Sequence, residues 1–123
     1  MVNLDFDSVR VTYDERLAIL SFKGSTLNYG RDETRNKFSD DVDRILDNQK
    51  IKGFVVDFEG VKCMSSSTIG VLIRANRELE GREGGIHVCG MSEDLRGKLD
   101  LLHLQHILPV FDDEDDAVES FGF

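Results

Sequence analysis

The sequence predicts a single α/β domain, in which an N-terminal β-hairpin leads into a mostly parallel sheet with helices packed on it. The first observation is a pair of extended runs, residues 9–13 and 17–22, joined by a short polar connection. The second is the alternation of helical and strand-like segments after residue 32, which is typical of parallel strands with right-handed crossovers. The third is a length of 123 residues with 40% hydrophobic content, which suits one domain spanning residues 1–123.

The hydrophobic spacing after the hairpin predicts two amphipathic helices around a buried strand. Residues 32–47 and 66–80 carry apolar side chains at helical spacing, with charge on their other faces. The predicted buried positions are Phe38, Val42, Ile45 and Leu46 in the first helix and Ile69, Leu72, Ile73 and Leu79 in the second. Between the helices, residues 51–58 are apolar on both faces at their centre, as a covered parallel strand requires.

The last third of the chain predicts a further strand, a short helix, an edge strand and a final helical turn. Residues 86–90 are apolar and follow a pair of glycines. Residues 92–102 form a predicted helix, because Ser92 is a favoured N-cap and two carboxylates follow it. Pro109 lacks an amide hydrogen, so residues 107–111 belong at a sheet edge or a strand start. The acidic run 112–116 suits the beginning of a last helix or turn within residues 112–121.

The charge and composition exclude several classes of partner. A net charge of −9 and a pI near 4.7 would repel nucleic acid and anionic membrane surfaces, so we expect neither as a partner. No apolar run approaches the ~20 residues that span a bilayer, and no signal peptide is recognised. Cys63 and Cys89 do not form the pattern of a disulfide framework. We therefore expect a cytoplasmic protein.

The feature most informative about function is a hydroxyl cluster, defined as residues 65–68 and reading Ser65-Ser66-Ser67-Thr68. It lies between the buried strand and the second helix. We therefore expect it at the edge of the sheet where parallel strands end and ligand sites form. A serine at a helix start can cap the helix, bind an anion, act as a nucleophile or accept a phosphate. The residues alone leave the cap and the phosphate acceptor open.

The pattern gives little support to catalysis or metal binding. The cluster lacks the Gly-x-Ser-x-Gly elbow, and nothing in the sequence places a histidine beside it. His103 and His106 stand three apart without a Cys-x-x-Cys motif, and we interpret them as a pair at the C-terminal end of a helix. No P-loop pattern is present. The sequence therefore predicts no enzyme activity, no metal and no cofactor.

Two segments of the sequence resemble a known family. The first reads VVDFEGV at residues 55–61 and CMSSSTIGVL at residues 63–72. The second reads LQHILPVF at residues 104–111, followed by acidic residues and Ala117. They are similar to the core motif and the closing segment of STAS domains, the anti-sigma factor antagonists and their relatives. With Gly24 near the end of the second strand, the resemblance covers nearly the whole domain and implies the STAS fold.

The resemblance implies a protein-binding function that phosphorylation switches. In the family motif, Asp-Ser-Ser/Ala-Gly-Leu-Gly follows an apolar residue, and a kinase that is also the anti-sigma factor phosphorylates its first Ser or a Thr. That acceptor corresponds to Ser66, with Ser67 and Thr68 as alternatives. Ser65 stands at the usual Asp position and Thr68 at the usual Gly position. The implied partner is a serine-kinase anti-sigma factor, which the unmodified domain binds and the phosphorylated domain releases.

The implied docking surface combines three parts of the chain. They are the hydroxyl cluster, the loop around Ser25 and Asn28, and the helix face that carries Arg74, Asn76 and Arg77. The resemblance also allows a homodimer. The alternative left open is a STAS-like scaffold or adaptor module without a phosphoswitch, for example one associated with a transporter.

Overall fold

The computed structural model describes residues 2–6, 8–23, 26–27 and 32–122, and a six-stranded sheet lies at their centre. In chain order the strands are β1 (Val2–Asp5), β2 (Val9–Asp14), β3 (Leu17–Phe22), β4 (Thr26–Leu27), β5 (Gly53–Asp57), β6 (Cys63–Met64), β7 (Gly85–Cys89) and β8 (Val110–Phe111). The helices are α1 (Asp32–Leu46), α2 (Ser66–Glu80), α3 (Glu93–Leu101) and α4 (Glu114–Glu119), and a 3₁₀ turn at Leu104–His106 precedes β8.

The strand order of the main sheet is β1-β2-β3-β5-β7-β8. The first three strands pair antiparallel, whereas β3, β5, β7 and β8 run parallel to one another. This confirms the predicted hairpin and its mostly parallel continuation, and it places β8 at an edge, as Pro109 predicts. The sequence did not predict β1, which pairs with β2. β4 and β6 form a separate short parallel pair that leads into α2.

One face of the sheet carries the main hydrophobic core. Alternate strand residues such as Leu20 and Val56 are buried there with side chains of α1, α2 and α3. The predicted inner face of the first helix is confirmed, since Phe38, Val42, Ile45 and Leu46 are all buried. In α2 the inner face includes Val71 and Ala75, whereas Ile73, predicted to be buried, is only partly so.

The opposite face of the sheet is covered by α4. Cys89 packs there with Ala117 in a second, smaller core. Phe121, just after α4, stacks on His87 with ring centroids 3.7 Å apart. The Phe121 ring also lies over Gly53, where a Cβ atom would approach ring carbons to 2.7–2.8 Å. A larger residue at position 53 would therefore push this ring away from the sheet.

The C-terminal third differs in detail from the prediction. α3 begins after its expected N-cap, Ser92, and ends at Leu101. His103 then adopts a left-handed backbone with φ 57°, and His106 lies in the separate 3₁₀ turn. The interpretation of these histidines as a pair ending one helix is therefore wrong. α4 is shorter than the predicted span and follows its N-cap Asp113. Across the described ranges, no helix combines the length and apolarity needed to cross a membrane.

Candidate functional site

The hydroxyl cluster lies in the predicted place, after the loop that follows the C-terminal end of β5. Two hydrogen bonds shape this loop. The amide of Glu59 donates to Asp57 Oδ1 at 2.9 Å, and the amide of Val61 donates to the carbonyl of Phe58 at 2.9 Å. The chain then passes through β6, whose last residue Met64 is buried, and enters α2.

Ser65 is the N-cap of α2. Its backbone is extended, and its Oγ accepts a hydrogen bond from the amide of Thr68 at 3.4 Å. The same oxygen lies 3.2 Å from Thr68 Oγ1. Because a cap satisfies one of the amides left unpaired at a helix start, Ser65 takes the structural role that the sequence left open within the cluster.

The other three hydroxyls differ in exposure. Ser66, the first residue of α2, is exposed, and Ser67 is half-buried. Thr68 is 0% exposed, so its hydroxyl is closed to a kinase in the folded protein. This burial favours the exposed Ser66 over Thr68 as the acceptor, and Thr68 stays an untested alternative.

A lysine from another helix contacts the segment just before the cluster. Lys98 in α3 donates a hydrogen bond from Nζ to the backbone carbonyl of Met64 at 2.7 Å. Sequence reasoning missed this contact because the two residues are 34 positions apart. In the sequence, Lys98 reads as an ordinary solvent-facing lysine of a short helix.

The helix face expected to dock a partner carries two exposed arginines. Arg74 is already engaged with α1. Its Nη1 lies 2.9 Å from Asp43 Oδ1, and its Nη2 donates to Ser39 Oγ at 3.0 Å. A partner that contacts Arg74 would therefore contact a side chain already bonded to α1. Arg77 lies further along the exposed face of α2.

Asn76 does not belong to that exposed face, contrary to expectation. It is 4% exposed, its Oδ1 accepts from the amide of Ile86 at 2.8 Å, and its Nδ2 donates to Glu80 Oε1 at 2.6 Å. The side chain ties α2 to β7 and is not available to a partner. Ser25 and Asn28, the other expected parts of the docking surface, lie outside the described residues.

An acidic cleft of about 580 Å³ opens at the same edge of the sheet. It is lined by Asp57, Glu59, Gly90, Asp112, Asp113, Glu114 and Asp115. Burial raises the pKa of the Glu114 carboxyl, and the charges of Asp57 and Asp115 raise it further. Burial also raises the pKa of the Cys89 thiol to about 12, with Asp57 as the next cause, which makes this thiol a poor nucleophile. Among the described residues, no group of His, Cys, Asp and Glu is arranged to hold a metal ion.

Known proteins of one family resemble the chain over most of its length. The family model described as STAS domain matches residues 15–117. An anti-sigma-factor antagonist (STAS) domain protein from Planctomyces limnophilus is 21% identical with a TM-score of 0.78, covering 92% of this chain and 96% of that chain. The Bacillus cell fate determinant SpoIIAA in its phosphorylated form is 16% identical with a TM-score of 0.69, covering 92% and 98%.

The same fold is found in a much larger protein. The murine anion transporter Slc26a9, in its inward-facing state, is 14% identical with a TM-score of 0.65, covering 90% of this chain and 18% of the transporter. At these low identities, the structural likenesses establish the fold and nothing finer. A search of curated protein sequences found no significant match.

Proposed function

The chain belongs to the STAS domain family, and on this premise we propose that it is a regulatory protein-binding domain of the anti-sigma factor antagonist type. Its partner is a serine-kinase anti-sigma factor. Binding sequesters that kinase and leaves the sigma factor active. Phosphorylation of Ser66 by the kinase ends the complex.

The observation that carries this proposal is the position of Ser66. Its side chain is exposed at the first residue of α2, on the edge of the sheet where the parallel strands end. Ser65 caps the helix and Thr68 is buried. Ser66 can therefore be modified without loss of the cap or of core packing, which is what a reversible switch requires.

Phosphorylation at this position would change the docking surface while leaving the core in place. The Ser66 Oγ forms a bond to the γ-phosphorus of ATP. The bond from that phosphorus to the oxygen bridging the β- and γ-phosphates breaks, so ADP leaves, and the hydroxyl proton passes to solvent. The new group adds about −1.5 to −2 charge to a chain already at −9. Desolvating that charge opposes burial against a packed partner face.

The second candidate is a STAS scaffold that binds its partner without a phosphoswitch. It is favoured by two departures from the family motif, since Ser65 and Thr68 stand at the positions of the usual Asp and Gly. The likeness to 18% of an anion transporter chain is consistent with this candidate, because it shows that a domain of this fold can be part of a larger protein.

The first experiment incubates the protein with ATP and each purified anti-sigma factor kinase of the source organism, and maps phosphate by mass spectrometry. We expect one phosphate, on Ser66, because this hydroxyl is exposed at the helix start. It should be lost in Ser66→Ala and retained in the matched control Ser67→Ala. Phosphorylation that persists in Ser66→Ala would refute the site assignment.

Binding of the same kinases to Ser66→Asp separates the two candidates. A phosphoswitch predicts that the carboxylate weakens the complex about tenfold or more relative to Ser66→Ala, equivalent to ~1.4 kcal/mol. Equal affinity of Ser66→Asp and Ser66→Ala would favour the scaffold. Isothermal titration calorimetry measures both affinities under one set of conditions.

A further inference from the structure

Lys98 links α3 to the segment that presents Ser66. Its ammonium donates to the Met64 carbonyl at 2.7 Å, and Met64 precedes Ser66 by two positions. Met64 is itself buried, whereas Lys98 is exposed. The contact therefore holds the junction of β6 and α2 from outside, with a positive charge beside the start of α2.

The backbone of α3 at Lys98 is held in place by the packing of that helix. Ser92 caps α3 by accepting from the amide of Leu95 at 3.2 Å. Leu95 and Leu99, one of them adjacent to Lys98, are 2% and 1% exposed in the main core. Because these contacts anchor α3 on both sides of the lysine's turn, only the flexible side chain of Lys98 remains to move.

A phosphate on Ser66 would compete with the Met64 carbonyl for this ammonium. Phosphorylation brings nearly two negative charges and three strong acceptor oxygens. The Met64 carbonyl is a neutral acceptor, whereas the phosphate is an anion that adds Coulomb attraction to the ammonium beyond the hydrogen bond itself. The four-carbon stem of lysine is flexible enough to turn between acceptors that lie two residues apart.

We propose that Lys98 is a positioning residue of the switch. It holds the Met64 carbonyl in the unmodified protein and moves its hydrogen bond to the phosphate when Ser66 is phosphorylated. The modification then loosens the β6–α2 junction as well as changing the surface charge. This inference rests on Ser66 being the modified residue of the proposed function.

The first test uses the unmodified protein and the ¹³C chemical shift of the Met64 carbonyl. Lys98→Met keeps the length of the side chain and removes its charge and donors, so the carbonyl shift should change. Lys98→Arg should restore it. The matched control is Lys50→Met. Lys50 is an exposed lysine just before the N-terminal end of β5, whereas the hydroxyl cluster follows the C-terminal end, so this variant should leave the Met64 shift unchanged. A Met64 shift that does not respond to Lys98→Met would overturn the proposal.

The second test places phosphoserine at position 66 during translation, so that no kinase is needed. The second pKa of the phosphate is followed by ³¹P NMR titration. We expect it to be about 0.8 unit lower with Lys98 than in Lys98→Met, the effect of one unit charge in direct contact at roughly 4 Å in water. Lys98→Arg should restore the lower value, and Lys50→Met should not alter it. Equal phosphate pKa values in the protein that keeps Lys98 and in the Lys98→Met variant would overturn the role of the lysine.

The two proposals fail in distinguishable ways. A kinase that ignores Ser66 would refute the proposed function and leave the ³¹P difference intact. Equal phosphate pKa values would refute the role of Lys98 and leave the kinase assay intact.

Discussion

Replacing Ser65 and Ser66 separately by alanine tests whether the hydroxyl cluster is divided between fold and function. Ser65→Ala removes the acceptor 3.4 Å from the Thr68 amide and a partner 3.2 Å from the buried Thr68 hydroxyl. The amide bond is long, so we expect ~0.5–1 kcal/mol from the lost cap. The hydroxyl contact adds ~0.5–1 kcal/mol. Ser66 is exposed, so Ser66→Ala should stay within about 0.5 kcal/mol of the natural protein.

Urea denaturation followed by far-UV circular dichroism measures these free energies of unfolding, since the chain has no Trp. Single domains of this size usually unfold in two states, so the extrapolation is sound. In thermal unfolding, Ser65→Ala should lower the Tm by roughly 4–8 °C. The double variant Ser65→Ala/Thr68→Val should lose less than the sum of the single losses, because the two hydroxyls contact each other.

Equal destabilisation by the two serine substitutions would refute this reasoning. If Ser66→Ala destabilised the protein as much as Ser65→Ala, Ser66 would be a structural residue and a poor choice for a switch. Strict additivity of Ser65→Ala and Thr68→Val would likewise show that the 3.2 Å contact contributes nothing to stability.

Two further predictions concern residues away from the cluster. Arg82 donates to three backbone carbonyls at the end of α1 and in the following loop, at 2.7–3.2 Å. Arg82→Ala should therefore lower the free energy of unfolding by ~2–3 kcal/mol, and the exposed Arg77→Ala by less than about 0.5 kcal/mol; equal losses in urea denaturation would contradict this. Burial lowers the pKa of His87, and a backbone hydrogen bond partly offsets this effect. As the pH falls below about 6.5, His87 is therefore protonated in the unfolded chain before it is protonated in the folded protein, and the free energy of unfolding decreases. Between about pH 7.5 and 5.5, the natural protein should lose more stability than His87→Gln, and parallel stability curves would refute this.

Much of the fold could be predicted because the spacing of apolar side chains within a single helix or strand indicates which residues are buried. The helical spacing of the first helix and the doubly apolar strand at residues 51–58 both led to buried positions that the structure confirms. β1 could not be found in this way. It has four residues, and Leu4 lies opposite Val11 yet remains 46% exposed. β1 is a strand because it pairs with β2, and its residues 3–5 lack the alternation of buried and exposed side chains that is typical of a half-buried strand.

The site could be predicted in position but not in its contacts. The cluster's place at the sheet edge followed from the order of elements. Asn76 was expected on the exposed face because polar helical residues normally meet solvent. It is buried because the amide of Ile86 requires an acceptor there. The bond from Lys98 to Met64 depends on how α3 packs beside β6, and no periodicity within either segment encodes that arrangement.

The two residues that depart from the usual family motif contact each other, since Ser65 Oγ lies 3.2 Å from Thr68 Oγ1. Thr68 has no left-handed backbone angle, so glycine is not required at this position for conformation. Its side chain fills buried space and brings a hydroxyl, for which Ser65 Oγ is a partner at 3.2 Å. An aspartate at position 65 would also cap α2, but it would place a fixed negative charge beside Ser66. With Ser65 as the cap, that neighbouring position stays neutral, so the negative charge that Lys98 and a docked partner would meet there after modification comes from the phosphate alone.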